Sequence, residues 1–183
     1  MSIFVFPRKL LDNVDAESFL KGVIMTESNY PDALLAAEVS PNKTRSVYPE
    51  PFASMMDRRE KRRLGDMFGL SNFGVNLTQL EPGGVSALYH AHSKQDEFIY
   101  VLVGCPTLKS GDNEIVLAPG LCAGFKAGSG RAHQIINQTK ETVCFLEVGD
   151  RTAGDQVTYP DDDIAAVLRE GVWVFTHKDG TPY

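Results

Sequence analysis

The chain is short of what marks a nucleic-acid binder, a disulfide-stapled secreted domain or a membrane protein. Positive charge is in deficit: 18 Lys and Arg against 24 Asp and Glu leave a formal charge of −6 over 183 residues. Such a surface does not attract polyanions or anionic membranes, which excludes both as expected partners. The one basic run, Arg58-Arg59-Glu60-Lys61-Arg62-Arg63, reads in this acidic background as the solvated face of a helix. Cysteine is scarce. Cys105, Cys122 and Cys144 form no C-x-x-C pair and no even framework, so a disulfide scaffold is not indicated. Cys122 and Cys144 lie in apolar, strand-like runs and read as reduced core thiols. No window approaches the ~18 consecutive apolar residues of a membrane span. The stretch Ile3-Phe4-Val5-Phe6 is too short for a signal sequence, and its positive charges follow it instead of preceding it. The expectation is a soluble, cytoplasmic protein.

What is present divides into three zones. Residues 1–70 read as an arm with short helices: Asp15–Lys21 stopped by Gly22, Asp32–Glu38 opened by Pro31, and Ala53–Leu64 stopped by Gly65. Pro41, Pro49 and Pro51 between these pieces favour an extended, wrapping path. Residues 71–150 change character. Short runs of β-branched and aromatic residues, such as Gly74–Leu80, Phe98–Val103, Glu114–Leu117, His133–Ile136 and Thr142–Val148, are punctuated by Gly, Pro and Asp-Asn turns. Many short strands at this spacing indicate a β-sandwich or barrel. In residues 151–183, Asp161, Asp162 and Asp163 read as the acidic N-cap of a short helix, Ile164–Glu170, stopped by Gly171. A last strand, Val172–Thr176, follows.

The chemistry concentrates in Gly84–Gly104. Residues two apart on a strand share a face, so His90 and His92 project together. The four residues Ser93 to Asp96 suit a hairpin turn that returns Glu97 beside them on the neighbouring strand. Two imidazoles and one carboxylate converging in this way are a metal-ligand set. His133, in the strand-like run Ala132–Asn137, is the best candidate for a fourth ligand. His177 stands alone near the C-terminus and reads as a non-ligand. By strand parity Tyr89 and Tyr100 face away from the cluster.

At these residues the sequence resembles the cupin superfamily. Its first motif is a glycine, five residues, His-x-His, three or four residues, Glu, six residues and Gly. Gly84, His90, His92, Glu97 and Gly104 match it at every position. The second motif is matched by Gly120, Gly128, His133 and Asn137. Lys126 stands where proline is usual, and four residues instead of two separate Gly128 from His133. Outside the barrel, Tyr48–Ala53, the Tyr159-Pro160-Asp161 turn and Phe175–Tyr183 look like a group of small bacterial single-barrel cupins. The resemblance implies an all-β jelly-roll barrel (a double-stranded β-helix), with the arm before it and the short helix and strand after it.

One divalent ion per chain, Zn, Mn, Fe or Ni, held by His90, His92, Glu97 and His133 is therefore expected. Three functional readings follow. The first is a metal-dependent isomerase, lyase or hydrolase acting on a small polar or anionic metabolite such as a sugar phosphate. The second is an Fe(II) dioxygenase using the same ligands, and the third a non-catalytic binding or sensing module. Lys126 and Arg131, the nearest basic residues in sequence to His133, are the candidates for gripping an anionic substrate. A long arm beside a barrel whose edges need cover points to a homodimer.

Overall fold

Strand periodicity in the middle of the chain builds two facing layers. The structure, a computed structural model, describes residues 30–42 and 46–183. The expected helix Asp15–Lys21 lies outside the described residues. The first layer is a five-stranded antiparallel sheet in the order β1 (Arg59–Arg63), β2 (Phe73–Leu80), β9 (Val143–Asp150), β4 (Glu97–Val103) and β7 (Cys122–Phe125). The second layer has two parts. One is β6 (Asn113–Val116), β5 (Thr107–Ser110) and β8 (His133–Ile136). The other is β12 (Val172–Thr176), β11 (Ala165–Arg169), β10 (Gln156–Thr158) and β3 (Ala91–His92). Isolated bridges Val85↔Ile136 and His90↔His133 join the two parts.

Cross-strand partners share a face, so the register decides what lies inside. Leu80, Val143, Phe145, Val101 and Ile99 meet Leu108 and Ile135 of the second layer in one buried cluster. Toward the other end of the same inner face the pattern turns polar. Arg63, Asn76 and Glu147 lie in one cross-strand row, and Gly74, Gly149 and Glu97 lie in the next. A second cluster packs Phe52 and Met56 of the arm against Leu88, Val157, Ile164 and Ala166. The arm is thus built into the domain at these two residues.

Several local expectations give way to pairing. Asp32–Glu38 yields only a 3-10 turn at Ala36–Glu38. Ala53–Leu64 splits into a 3-10 turn, Ser54–Met56, and strand β1, with the short helix α1 (Leu64–Met67) beyond it. The basic run is therefore no helix face. Its five paired residues extend the sheet along β2, and this outweighs helix propensities of a few tenths of a kcal/mol per residue.

The expected helix Ile164–Glu170 is likewise strand β11, held between β10 and β12. Glu170 and Gly171, both at positive φ (50° and 79°), close the β11–β12 hairpin as a two-residue turn. Gly171 therefore ends a strand, and two of the three aspartates make contacts other than a helix cap. Asp161 pairs with Lys109, and Asp163 accepts from His177 and the Lys178 backbone. Of the two expected core thiols, Cys144 is fully buried but Cys122 is exposed. Cys122 lies opposite Tyr100 on the outer face of β7, at the edge of its sheet.

Candidate metal centre

Strand β3 and the residue before it place His90 and His92, but the hairpin expected to return Glu97 does not form. β3 pairs with β10, whereas β4 pairs with β7 and β9. Ser93 to Asp96 therefore cross from one layer to the other, and Glu97 meets the histidines across the interior. β8 brings His133 in through its bridge to His90.

All three imidazole Nε2 atoms converge on one carboxylate oxygen, Glu97 Oε2: His133 at 3.0 Å, His90 at 3.4 Å and His92 at 3.5 Å. The donor atoms of His90, His92 and Glu97 lie within 4.8 Å of one another. That compact set leaves out His133, which meets the cluster through Glu97 Oε2 and through the His90 ring, their centroids 4.6 Å apart. His177 is elsewhere, hydrogen-bonded to Asp163 and stacked on Tyr183.

For His90 and His92 the far side of the ring settles what the near side offers, whereas His133 Nδ1 is buried with no hydrogen-bond partner among the described residues. His90 Nδ1 donates to the Leu88 carbonyl at 2.8 Å. His92 Nδ1 donates to Asp155 Oδ2 at 2.5 Å. A proton fixed on Nδ1 leaves Nε2 with its lone pair, so both rings present acceptors to Glu97. Glu97 Oε2 is accordingly buried with no hydrogen-bond partner among the described residues. Lone pairs facing a buried carboxylate oxygen repel unless a cation lies between them. The donor set therefore fits a divalent ion.

Protonation agrees. Burial pushes the Glu97 carboxyl up, but the nearby His133, His90 and His92 outweigh it and hold the group well below the ordinary carboxylate range. Burial pushes the His133 imidazole down, against the pull of Glu97 and with the charges of His90 and His92 adding to it. Anionic carboxylate and neutral imidazole are the ligating forms.

Asp155 was not legible in the sequence. It is fully buried, and Oδ1 also accepts from Ser93 Oγ at 3.0 Å and the Lys94 backbone N–H at 2.7 Å. It lies more than sixty positions along the chain from the ring it orients, so no local motif marks it. Phe125 stacks on His133 with ring centroids 3.5 Å apart and planes 3° from parallel. Tyr159 lies beside His90, and Tyr48 meets Tyr159 edge-on. Burial pushes both phenols up, so they remain protonated donors at neutral pH.

The cluster opens on a cavity of about 1050 Å³. Lys126 and Arg131 do not line it. They border a small recess of about 10 Å³ that His92, Glu97 and His133 also line. Most of the cations that do line the large cavity belong to β1, with Arg58 just before it and Arg151 just after β9. Tyr89, whose hydroxyl donates to Gly111 O, and the exposed Tyr100 are both outside the lining, as parity implies.

The two-layer β architecture with its inward His-His-Glu cluster defines a class. A family model described as a cupin domain matches residues 76–149. The crystal structure of a sugar phosphate isomerase of the cupin superfamily from Silicibacter pomeroyi is 41% identical, with a TM-score of 0.78. The match covers 82% of this chain and 96% of that one. The chain belongs to the cupin superfamily. A second structure, from Acidithiobacillus ferrooxidans and assigned provisionally to sugar phosphate isomerases by its name, is 34% identical with a TM-score of 0.62. It is matched over 68% of this chain and 80% of that one. The polyketide cyclase RemF from Streptomyces resistomycificus, at 22% identity and a TM-score of 0.52, matches 64% of this chain and 78% of that one, and shares the fold. No curated protein matches the sequence. Among the described residues no helix is long and apolar enough to cross a membrane.

Proposed function

We propose that this cupin is a metal-dependent enzyme that isomerises a small phosphorylated sugar or a similar anionic metabolite. One observation carries the reading: three imidazole nitrogens lie within 3.5 Å of a single buried, otherwise unpartnered carboxylate oxygen at the wall of a large cavity. His90, His92, Glu97 and His133 would hold the ion. When bound, it supplies Lewis acidity toward a substrate carbonyl or hydroxyl oxygen. Zn, Mn, Fe and Ni all suit the donor set.

The rest of the cavity supports handling of a polar metabolite. Tyr48 and Tyr159 keep their phenolic protons and wall the site beside His90. Asp155 holds the His92 ring in one tautomer. The relatives from S. pomeroyi and A. ferrooxidans, whose names carry the sugar phosphate isomerase activity, span most of this chain.

The test has two parts. Metal analysis of purified protein should find one ion per chain, lost in His90→Ala and His92→Ala, weakened in Glu97→Gln and unchanged in His177→Ala. The metal-loaded protein should then interconvert members of a panel of aldose and ketose phosphates, read by NMR. Substoichiometric metal after reconstitution with each of the four ions overturns the metal centre. Oxygen uptake with the Fe(II) form and no isomerised product replaces the isomerase with a dioxygenase. Ligand-induced thermal stabilisation without any product leaves only a binding module.

A further inference from the structure

The basic run Arg58–Arg63, set aside above as a solvated helix face, has a different place in the fold. On β1 successive side chains alternate between faces. Arg59, Lys61 and Arg63 stand opposite Leu80, Thr78 and Asn76, on the face that also carries Phe145, Glu147 and Glu97. The intervening Glu60 and Arg62 take the opposite face of the strand, pair with each other and also border the cavity, Arg62 donating to the Ala37 carbonyl. Three cations are thus delivered, at every second residue, to the inner wall of the cavity that holds the histidine–glutamate cluster.

We propose that this wall is an anion subsite that takes the phosphate of the substrate, with Lys61 and Arg63 as its principal donors and Arg59 behind them. It rests on the reading of the cavity as the place where a small metabolite meets the metal centre, and it names the residues that hold the other end. Lys61 Nζ lies 2.7 Å from Glu147 Oε2. That contact uses one of three ammonium donors and aims the group along β9. Glu147 and Glu97 are diagonal neighbours on adjacent strands, one pair along, which separates their backbones by roughly 7–8 Å. A short polyol chain spans such a gap between a bound phosphate and a metal-facing oxygen. On the side of Glu97 that faces β1, the cross-strand row carries Gly149 and then Gly74, with the Arg151 guanidinium packed over Gly74. The row itself therefore adds no side chain between wall and cluster, and Arg151 adds a further cation beside it. A dianion suits several cations, and the Arg63 fork can bind phosphate oxygens in pairs.

The probe is inorganic phosphate, titrated calorimetrically into the full-length protein in metal-free and metal-loaded forms, with acetate as the comparison anion. Phosphate should bind the metal-free protein and acetate should bind more weakly. Lys61→Met and Arg63→Met should each lower phosphate affinity about ten- to a hundredfold, the range for losing a charge-assisted contact. Lys61→Arg should retain most of it. Because Lys61→Met strands the Glu147 carboxylate, the double variant Lys61→Met/Glu147→Gln repeats the measurement in a neutral background. Lys126→Met and Arg131→Met should bind phosphate like the wild type. The proposal is overturned by wild-type protein that binds no phosphate, or binds it only through a loaded metal. It is also overturned if acetate binds as tightly, if the β1 variants match wild type, or if the loss occurs in the Lys126 or Arg131 variants instead. Stoichiometric metal alongside any of these failures leaves the metal centre standing. A phosphate site lost in the β1 variants of a protein that takes up no metal refutes the metal reading alone.

Discussion

Replacing Asp155 with asparagine changes the size of one buried group hardly at all and reverses its hydrogen bonding. The carboxylate takes three donors, His92 Nδ1 on one oxygen and Ser93 Oγ with the Lys94 N–H on the other. An asparagine keeps one oxygen. Left with Ser93 and Lys94, that oxygen turns the amide NH2 toward His92 Nδ1. The ring nitrogen must then accept, and its proton moves to Nε2, the atom that faces Glu97. Left with His92 instead, the oxygen sets the NH2 against the Lys94 N–H. The first arrangement removes a metal donor and the second orphans a buried amide, so both are costly. Loss of an orienting partner of this kind lowers metal affinity by about 10- to 100-fold, or about 1.4–2.8 kcal/mol. The metal-free protein loses about 1.5–3 kcal/mol with the charge-assisted bond. At 2–4 °C per kcal/mol for a domain of this size, Tm should fall by about 3–12 °C. Chelator competition with Zn²⁺ measures the first effect and calorimetry of the metal-free protein the second. Asp155→Asn protein that binds Zn²⁺ as tightly as wild type and melts at the same temperature refutes the tautomer argument.

Thiol titration of the native protein should find Cys105 and Cys122 reactive and Cys144 silent until denaturation. Burial raises the Cys144 thiol to about 12 and leaves no thiolate at neutral pH; a third fast thiol contradicts the burial. Glu170→Gly should stabilise the protein by about 1 kcal/mol in thermal melts, because only glycine takes φ of +50° in the β11–β12 turn without cost. A lower Tm would show that the turn is not held there. Met56→Ala should cost about 2–5 kcal/mol, since Met56 is fully buried between the arm and the C-terminal strands; near-neutral stability would mean the arm is not anchored there. Homodimerisation stays an expectation, favoured by the exposed Phe98 and Tyr100 on the outer sheet face, and a monomeric mass by light scattering would refute it.

The sequence by itself carried the strand-rich middle and the donors at its centre. Period-two alternation is a local property, so β2, β4, β8 and β9 are legible, and so is the shared face of His90 and His92. Glu97 was legible through the Gly84–Gly104 spacing that resembles the cupin motif, since the hairpin expected to return it does not form. What the sequence left undetermined depends on which segment each strand meets. The Ile164–Glu170 and Arg58–Arg63 segments are helix-like in composition. They become β11 and β1 because β10, β12 and β2 offer them backbone partners that local propensity does not register. Glu97 reaches the histidines across the interior, through pairing of β3 with β10 and of β4 with β9, and not along a hairpin. Asp155 and the β1 cations come to the site in the same way. Nearness in sequence pointed to Lys126 and Arg131, which line a small recess with His92, Glu97 and His133 and not the large cavity. Only tertiary pairing decides which side of a strand faces the cavity, because hydrogen bonds between distant segments fix the register and the register fixes the face.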